Sequence, residues 1–278
     1  MTINCKGKLI DLSSPVVMGI LNLTPDSFYD GGKFQDDRFA LKQVEKMLFE
    51  GAMFVDLGAY SSRPNAAHIS EKEELQRLMP VLHVLIKEFP EILVSVDTFR
   101  SVVAKEAVNA GACMVNDISA GMLDDAMLKT VATLHVPYIM MHMRGTPQTM
   151  QQKTDYDNVL KEILLYFSER TAAARALGII DLIVDPGFGF SKTPEQSFEI
   201  LNQLELLQTI VELPILAGVS RKSMVYKTLG LTPDEALNGT TALNTIALQK
   251  GASILRVHDV KEAIQCIKLV EMLKCSGS

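Results

Sequence analysis

Eight short apolar runs divide this chain, and stretches of helical periodicity separate them. The runs are "VVMGILN" (16–22), "AMFVDLG" (52–58), "ILVSVDT" (92–98), "ACMVNDI" (112–118), "VPYIMMH" (136–142), "IIDLIVDPG" (179–187), "PILAGVS" (214–220) and "SILRVHD" (253–259). They are dense in Val, Ile, Leu and Met, as strands buried on both faces are. Between the second and third runs, Ser70 and Glu73 have capping-box spacing, and Leu75, Leu78, Met79, Leu82, Leu85 and Ile86 recur at helical period. Pro80 falls inside that pattern and predicts a kink or break. Gly178 and Gly251 close two further helical patterns. Strand alternating with helix calls for a parallel sheet. Eight such units predict an α/β fold of the closed (β/α)8 TIM-barrel type rather than an open doubly wound sheet. No Pro-, Ser- or Gly-rich linker interrupts the 278 residues, so one domain is expected over 1–278.

Charge and cysteine usage narrow the setting. Lys and Arg number 27 against 33 Asp and Glu, a formal net charge of −6, which supplies no basic field for nucleic acid. The early apolar run is too short to span a bilayer and is flanked by Pro15 and Pro25, so no membrane association is expected. Cys5, Cys113, Cys266 and Cys275 show neither a C-x-x-C spacing nor a neighbouring histidine pair. Reduced thiols in a cytoplasmic protein fit that usage best.

In a barrel of this class the site is built at the C-terminal ends of the strands. Here those ends read Asn22, Asp56, Asp97, Asn116, His142, Asp185, Ser220 and Arg256 with His258. Strands often end where polarity resumes, but Asp and Asn dominate this set while Lys, Glu and Gln are missing. Short, stiff side chains suit precise hydrogen bonding. Asp97 and Asp185 could accept paired N–H donors from a flat, nitrogen-rich heterocycle, and Asn116 could read a mixed edge. The same carboxylates could instead hold a metal, although no His or Glu cluster accompanies them. Arg256 and His258 are two residues apart and so share a face of their strand. Two such residues in an apolar run suggest an anion beside them. The loop "GVSRKSM" places Lys222 and Ser223 at a probable helix start, a second place for an anion.

The segments "MGILNLTPDSFYDGG", "SVDTFR", "VNDISA", "MHMRGTPQTM", "DPGFGFSKT", "GVSRKSM" and "RVHDV" together resemble the dihydropteroate synthase family. They run in family order over nearly the whole chain. The resemblance implies a transferase of folate biosynthesis, the sulfonamide target. It joins 6-hydroxymethyl-7,8-dihydropterin pyrophosphate to p-aminobenzoate, giving 7,8-dihydropteroate and pyrophosphate, with Mg²⁺ assisting. It implies that Arg256 and His258 bind the pyrophosphate and that Arg256 lies against the pterin face. Asn22 would bind the magnesium–pyrophosphate end. Asp97, Asn116, Asp185 and Lys222 would read the pterin, with Met140 packing on it. Phe190, Lys222 and Ser223 would border the p-aminobenzoate site. Ser62, Arg63 and Pro64 would belong to a second mobile loop, and Asp56 would play a supporting part. Asp97, Asp185, Lys222, Arg256 and His258 form the expected catalytic set. A homodimer through the late helices is also implied.

One departure stands out. Where the family's second loop commonly reads "GGESTRPG", this chain reads "GAYSSRPN", with Ala59, Tyr60, Ser62 and Asn65. Ser62 keeps a hydroxyl, and Tyr60 replaces an acid. Two other functions compete with the synthase. A pterin-binding paralogue without turnover would draw support only from that loop. A folate-dependent corrinoid methyltransferase would share the Asp and Asn readers but has no need of "SRKS" or "RVHD". The methionines of "YIMMHM" read otherwise as barrel filling, and His142 reads equally as a wall residue or a ligand.

Overall fold

The computed structural model describes residues 1–23, 33–61 and 68–276. A short hairpin, β1 (Thr2–Cys5) and β2 (Lys8–Asp11), comes first. The barrel strands follow: β3 (Val16–Asn22), β4 (Phe54–Gly58), β5 (Val94–Asp97), β6 (Met114–Asp117), β7 (Tyr138–Met141), β8 (Leu182–Asp185), β9 (Leu216–Ala217) and β10 (Ile254–Val257). All eight pair in parallel, in the order β8-β7-β6-β5-β4-β3-β10-β9. A parallel bridge between Val184 and Ile215 joins the last two edges and closes the ring. Every expected apolar run holds one strand. β3 fills its run from Val16 to Asn22, and the other seven strands are shorter than theirs.

The helices are α1 (Lys33–Phe49), α2 (Glu71–Glu88), α3 (Ser101–Asn109), α4 (Met127–Leu134), α5 (Val159–Ala176), α6 (Pro194–Asn202), α7 (Leu204–Val211), α8 (Ser223–Leu229), α9 (Leu237–Gln249) and α10 (Val260–Cys275). Among the described residues, β8 and β9 are each followed by two α-helices, and the other barrel strands by one. Helix α2 starts as the sequence predicts, with Ser70 Oγ accepting the Glu73 N–H at 3.2 Å. The break expected at Pro80 does not occur, and the helix runs unbroken through it. Pro80 is exposed, so the carbonyl one turn back can turn to water, while Leu78, Val81, Leu82 and Leu85 stay buried.

Two apolar layers position the site. The larger lies between strands and helices and includes Val17, Val55, Leu57, Val96, Val115, Tyr138, Val184, Leu255 and Val257. The smaller fills the N-terminal end of the barrel with Met18, Phe54, Met114, Ile139, Ile183, Leu216 and Ile254. The hairpin caps that end by burying Ile3, Cys5 and Ile10. Asn4 N–H donates to Asp181 just before β8, at 2.9 Å, and pins the cap to the barrel. Sequence reading did not find this hairpin. Its signal was the Gly7 turn in "CKGKL", where Lys6 and Gly7 both take positive φ, 54° and 80°.

Candidate active site

The strand-end residues converge because β-strands point alternate side chains to one face. Beyond the apolar plug, polar residues take most of the inward positions, beside Ile20, Met141 and Gly218. Asn22, Asp97, Asn116, Asp185, Phe190, Lys222, Ser223, Arg256 and His258 line a single cavity of about 670 Å³ at the C-terminal end of the barrel. Asp56 lies just beneath it, fully buried. The other lining residues include Ile20, Tyr60, Ile118, Met141, Phe188, Gly218 and Ser220.

Arg256 is the centre of the polar floor. Its Nε donates to Asp56 Oδ2 at 2.6 Å and its Nη2 to Asp97 Oδ2 at 2.7 Å. These bonds engage two of five guanidinium donors. Asn116 Nδ2 donates to the same Asp56 oxygen at 2.9 Å. Asp56, 200 residues from Arg256, therefore holds both a cation and an amide in place. Burial works against the Arg256 charge, but Asp56 and Asp97 outweigh it and raise its pKa. Burial pushes Asp97 up to about 7; Arg256 pulls it back, and neighbouring Asp56 pushes the same way as burial. One guanidinium between two carboxylates leaves negative charge uncompensated.

Asp185 forms the other side. Its Oδ1 accepts the Gly187 N–H at 2.7 Å. Burial raises its pKa, and the Lys222 charge pulls it down. Lys222 Nζ donates to Phe188 O at 2.6 Å and lies 4.6 Å from the centre of the Phe190 ring. Burial lowers the Lys222 pKa to about 8 against the attraction of Asp185. Gly218 keeps this corner open. A Cβ there would lie 3.6 Å from Lys222 Nζ and 3.9 Å from both Arg256 Cβ and Asp185 Oδ2. Ser220 Oγ sits 3.0 Å from His258 Nδ1 and accepts the His258 backbone N–H at 3.2 Å, so the loop after β9 fixes the ring just beyond β10. Arg221 chelates Asp259 at 3.0 and 2.7 Å and ties the loops after these two strands together.

Met140 requires correction. It packs in the layer between strands and helices, whereas Met141 lines the cavity. Met141 is two residues beyond Ile139 of the plug and so shares its inward face. The strand "YIMM" is buried on both sides and carries no alternation from which the phase could be read. Ser62, Arg63 and Pro64, like residues 24–32, lie outside the described residues. Tyr60 is described. It packs edge-on against Phe99, ring centres 5.0 Å apart, and its hydroxyl accepts from Gln148 Nε2 at 2.6 Å. His142 is a buried wall residue, hydrogen-bonded through Nδ1 to Lys192.

The geometry can be set beside known proteins. The family model described as pterin binding enzyme matches residues 18–258. The chain is 41% identical over 273 residues to the dihydropteroate synthase of Escherichia coli strain K12, covering 98% of this chain and 96% of the relative. It is 43% identical to that of Haemophilus influenzae, covering 97% and 98%. A crystal structure of the Yersinia pestis dihydropteroate synthase with a sulfonamide drug complex superimposes with a TM-score of 0.92 at 40% identity, covering 99% of this chain and all of the other. The Xanthomonas albilineans enzyme with 4-aminobenzoic acid gives a TM-score of 0.91 at 36% identity, covering 98% of each chain. A (β/α)8 barrel matched nearly end to end, with its polar residues gathered in one pocket, leaves one assignment: the chain belongs to the dihydropteroate synthase family.

Proposed function

We propose that the two substrates lie side by side across this cavity, the pterin over the Asp97–Asn116–Asp185 floor and p-aminobenzoate beside Phe190, Lys222 and Ser223. The chain is a transferase of folate synthesis: it joins 6-hydroxymethyl-7,8-dihydropterin pyrophosphate and p-aminobenzoate into 7,8-dihydropteroate and pyrophosphate. The observation that carries the arrangement is the gathering of Asp97, Asn116 and Asp185 at one level of one cavity, with Arg256 and His258 on its β10 wall. Carboxylates accept the paired N–H donors of a pterin edge, and the asparagine reads its mixed edge. The guanidinium plane of Arg256 suits both a flat ring and a pyrophosphate.

As the C–O bond to pyrophosphate breaks, Arg256 and His258 take up the leaving charge. The pterin spreads the positive charge left on its methylene, and Asp97 and Asp185 below favour that cation. The aniline nitrogen, neutral at pH 7, attacks the methylene and loses a proton, so no side chain need act as an activated nucleophile. Among the described residues no group of three His, Cys, Asp or Glu side chains could hold a metal ion. A magnesium ion fits this pocket through Asn22 together with phosphate oxygens and water, as Mg²⁺ usually does. Bound there, it would neutralise leaving-group charge.

We also propose a cytoplasmic homodimer. No helix among the described residues is long and apolar enough to cross a membrane. Leu269, Met272 and Leu273 on α10 are each more than 60% exposed, an apolar stripe beside the partly exposed Ile246 of α9. Light scattering should give twice the 30.6 kDa chain mass, and charged replacements at Leu269 and Leu273 should return the monomer. The activity itself is tested by pyrophosphate release from the pterin substrate with Mg²⁺. Release that depends on p-aminobenzoate, with dihydropteroate formed in step, is the expected result. Tight pterin binding without release would overturn it in favour of a binding-only protein.

A further inference from the structure

Lys192 lies in the loop between β8 and α6 and is only 3% exposed. A buried ammonium is costly unless its donors are met. Here Nζ lies 2.9 Å from both His142 Nδ1 and Phe190 O, 3.1 Å from Gly187 O and 3.3 Å from His142 O. Three carbonyl oxygens and the His142 ring nitrogen thus surround Nζ, and burial lowers the Lys192 pKa well below its ordinary value. Lys192 is not among the residues lining the cavity. Its neighbour Lys222 is, and has Phe188 O as an acceptor.

These four partner atoms belong to two loops. His142 follows β7; Gly187 and Phe190 follow β8. The loops touch where Lys192 binds them. Gly187 has φ +70°, and a Cβ on it would lie 2.2 Å from His142 O, so only glycine allows this approach. A second tie is the Arg144 N–H, which donates to Ser191 Oγ at 2.9 Å. The clamped segment carries two groups that meet Lys222: the Phe188 carbonyl, which accepts a hydrogen bond from it, and the Phe190 ring beside its Nζ.

We propose that Lys192 is a positioning residue for the aminobenzoate end of the pocket, fixing segment 187–190 so that Phe188 O and the Phe190 ring hold Lys222 in place. This rests on the placement of p-aminobenzoate beside Phe190 and Lys222. A purely structural lysine would loosen both substrate sites alike when removed, whereas a positioning lysine should act more strongly on one.

The test compares Lys192→Met, which keeps length but loses the donors, with Lys192→Gln, which keeps two shorter ones, and with Phe190→Ala. Lys192→Met should raise the KM for p-aminobenzoate about tenfold and, because Lys222 and the Gly187 N–H also meet Asp185, the KM for the pterin substrate too, but clearly less. Lys192→Gln should fall between it and the parent. Phe190→Ala should raise the same KM. If Phe190→Ala leaves it unchanged, the placement of p-aminobenzoate is wrong and the proposal falls with it. If Phe190→Ala raises it and folded Lys192→Met does not, the proposal alone is overturned. Equal rises in both KM values, or failure of both Lys192 variants to fold, would assign Lys192 to stability only.

Discussion

The two ends of the barrel are built from the same strands, and on seven of the eight the layers lie two residues apart. Met18, Phe54, Met114, Ile139, Ile183, Leu216 and Ile254 pack together at the N-terminal end. Two residues later come Ile20, Asp56, Asn116, Met141, Asp185, Gly218 and Arg256, which form or support the cavity. That step is about 7 Å along a strand. Below it any apolar side chain of suitable volume would serve; above it chemistry and position are both fixed. The plug holds the strands at the spacing that lets one arginine reach carboxylates on two neighbouring strands. Stability and recognition are thus assigned to adjacent layers of the same ladder.

Substitutions on either side of the step should therefore fail differently. The largest effect is expected from Asp185→Asn, which should lower kcat/KM for the pterin substrate about 100- to 1000-fold. Burial raises the pKa of this carboxyl, so its ionised form is already disfavoured and the variant should melt close to the parent. A collapse in melting temperature would erase the division between layers. Phe54→Ala, one step below Asp56, should cost about 3–5 kcal/mol in denaturant unfolding. The folded fraction should keep its turnover, and a selective loss of pterin affinity instead would mean that the plug shapes the site directly. Gly218→Ala adds a methyl at ordinary contact distance from Lys222, Arg256 and Asp185. It should fold normally and lower pterin affinity about tenfold by filling the corner, readable by calorimetric titration.

The smallest effect sharpens the electrostatics of the upper layer. Asp97 titrates at about 7 and must be ionised to accept pterin N–H groups, so kcat/KM should fall as pH drops through that value. Lys222 titrates at about 8 and donates only while protonated, so kcat/KM should also fall as pH rises through that value. Lys222→Arg should retain the acid limb and lose the alkaline one. An unaltered alkaline limb would assign it to another group.

The eight strands were legible because each is a dense apolar run, and the polar floor because Asp, Asn, Arg and His interrupt or end those runs. The phase of β7 was not, since a strand buried on both faces shows no period-2 pattern, and Met140 was read in place of Met141. The hairpin under the barrel was missed because its alternation is only four residues long on each side. The parts played by Asp56 and Lys192 depend on partners from other strands and loops, His142 lying 50 residues from Lys192. Spacing along a chain carries no sign of such contacts. That α2 does not break at Pro80 was hidden for a related reason: the chain shows where a donor is lost but not whether water can replace it.

Arg256 stands between Asp56 and Asp97 before any substrate arrives. An arginine has roughly 2 kcal/mol of rotamer freedom to lose. Here the loss falls on folding, so each turnover begins with the guanidinium already aimed. The same partners temper its hold on an anion. On the proposed placement a departing pyrophosphate does not strand a bare cation, because Asp56 and Asp97 stand ready to reclaim it, and a product that leaves no vacancy behind can leave quickly.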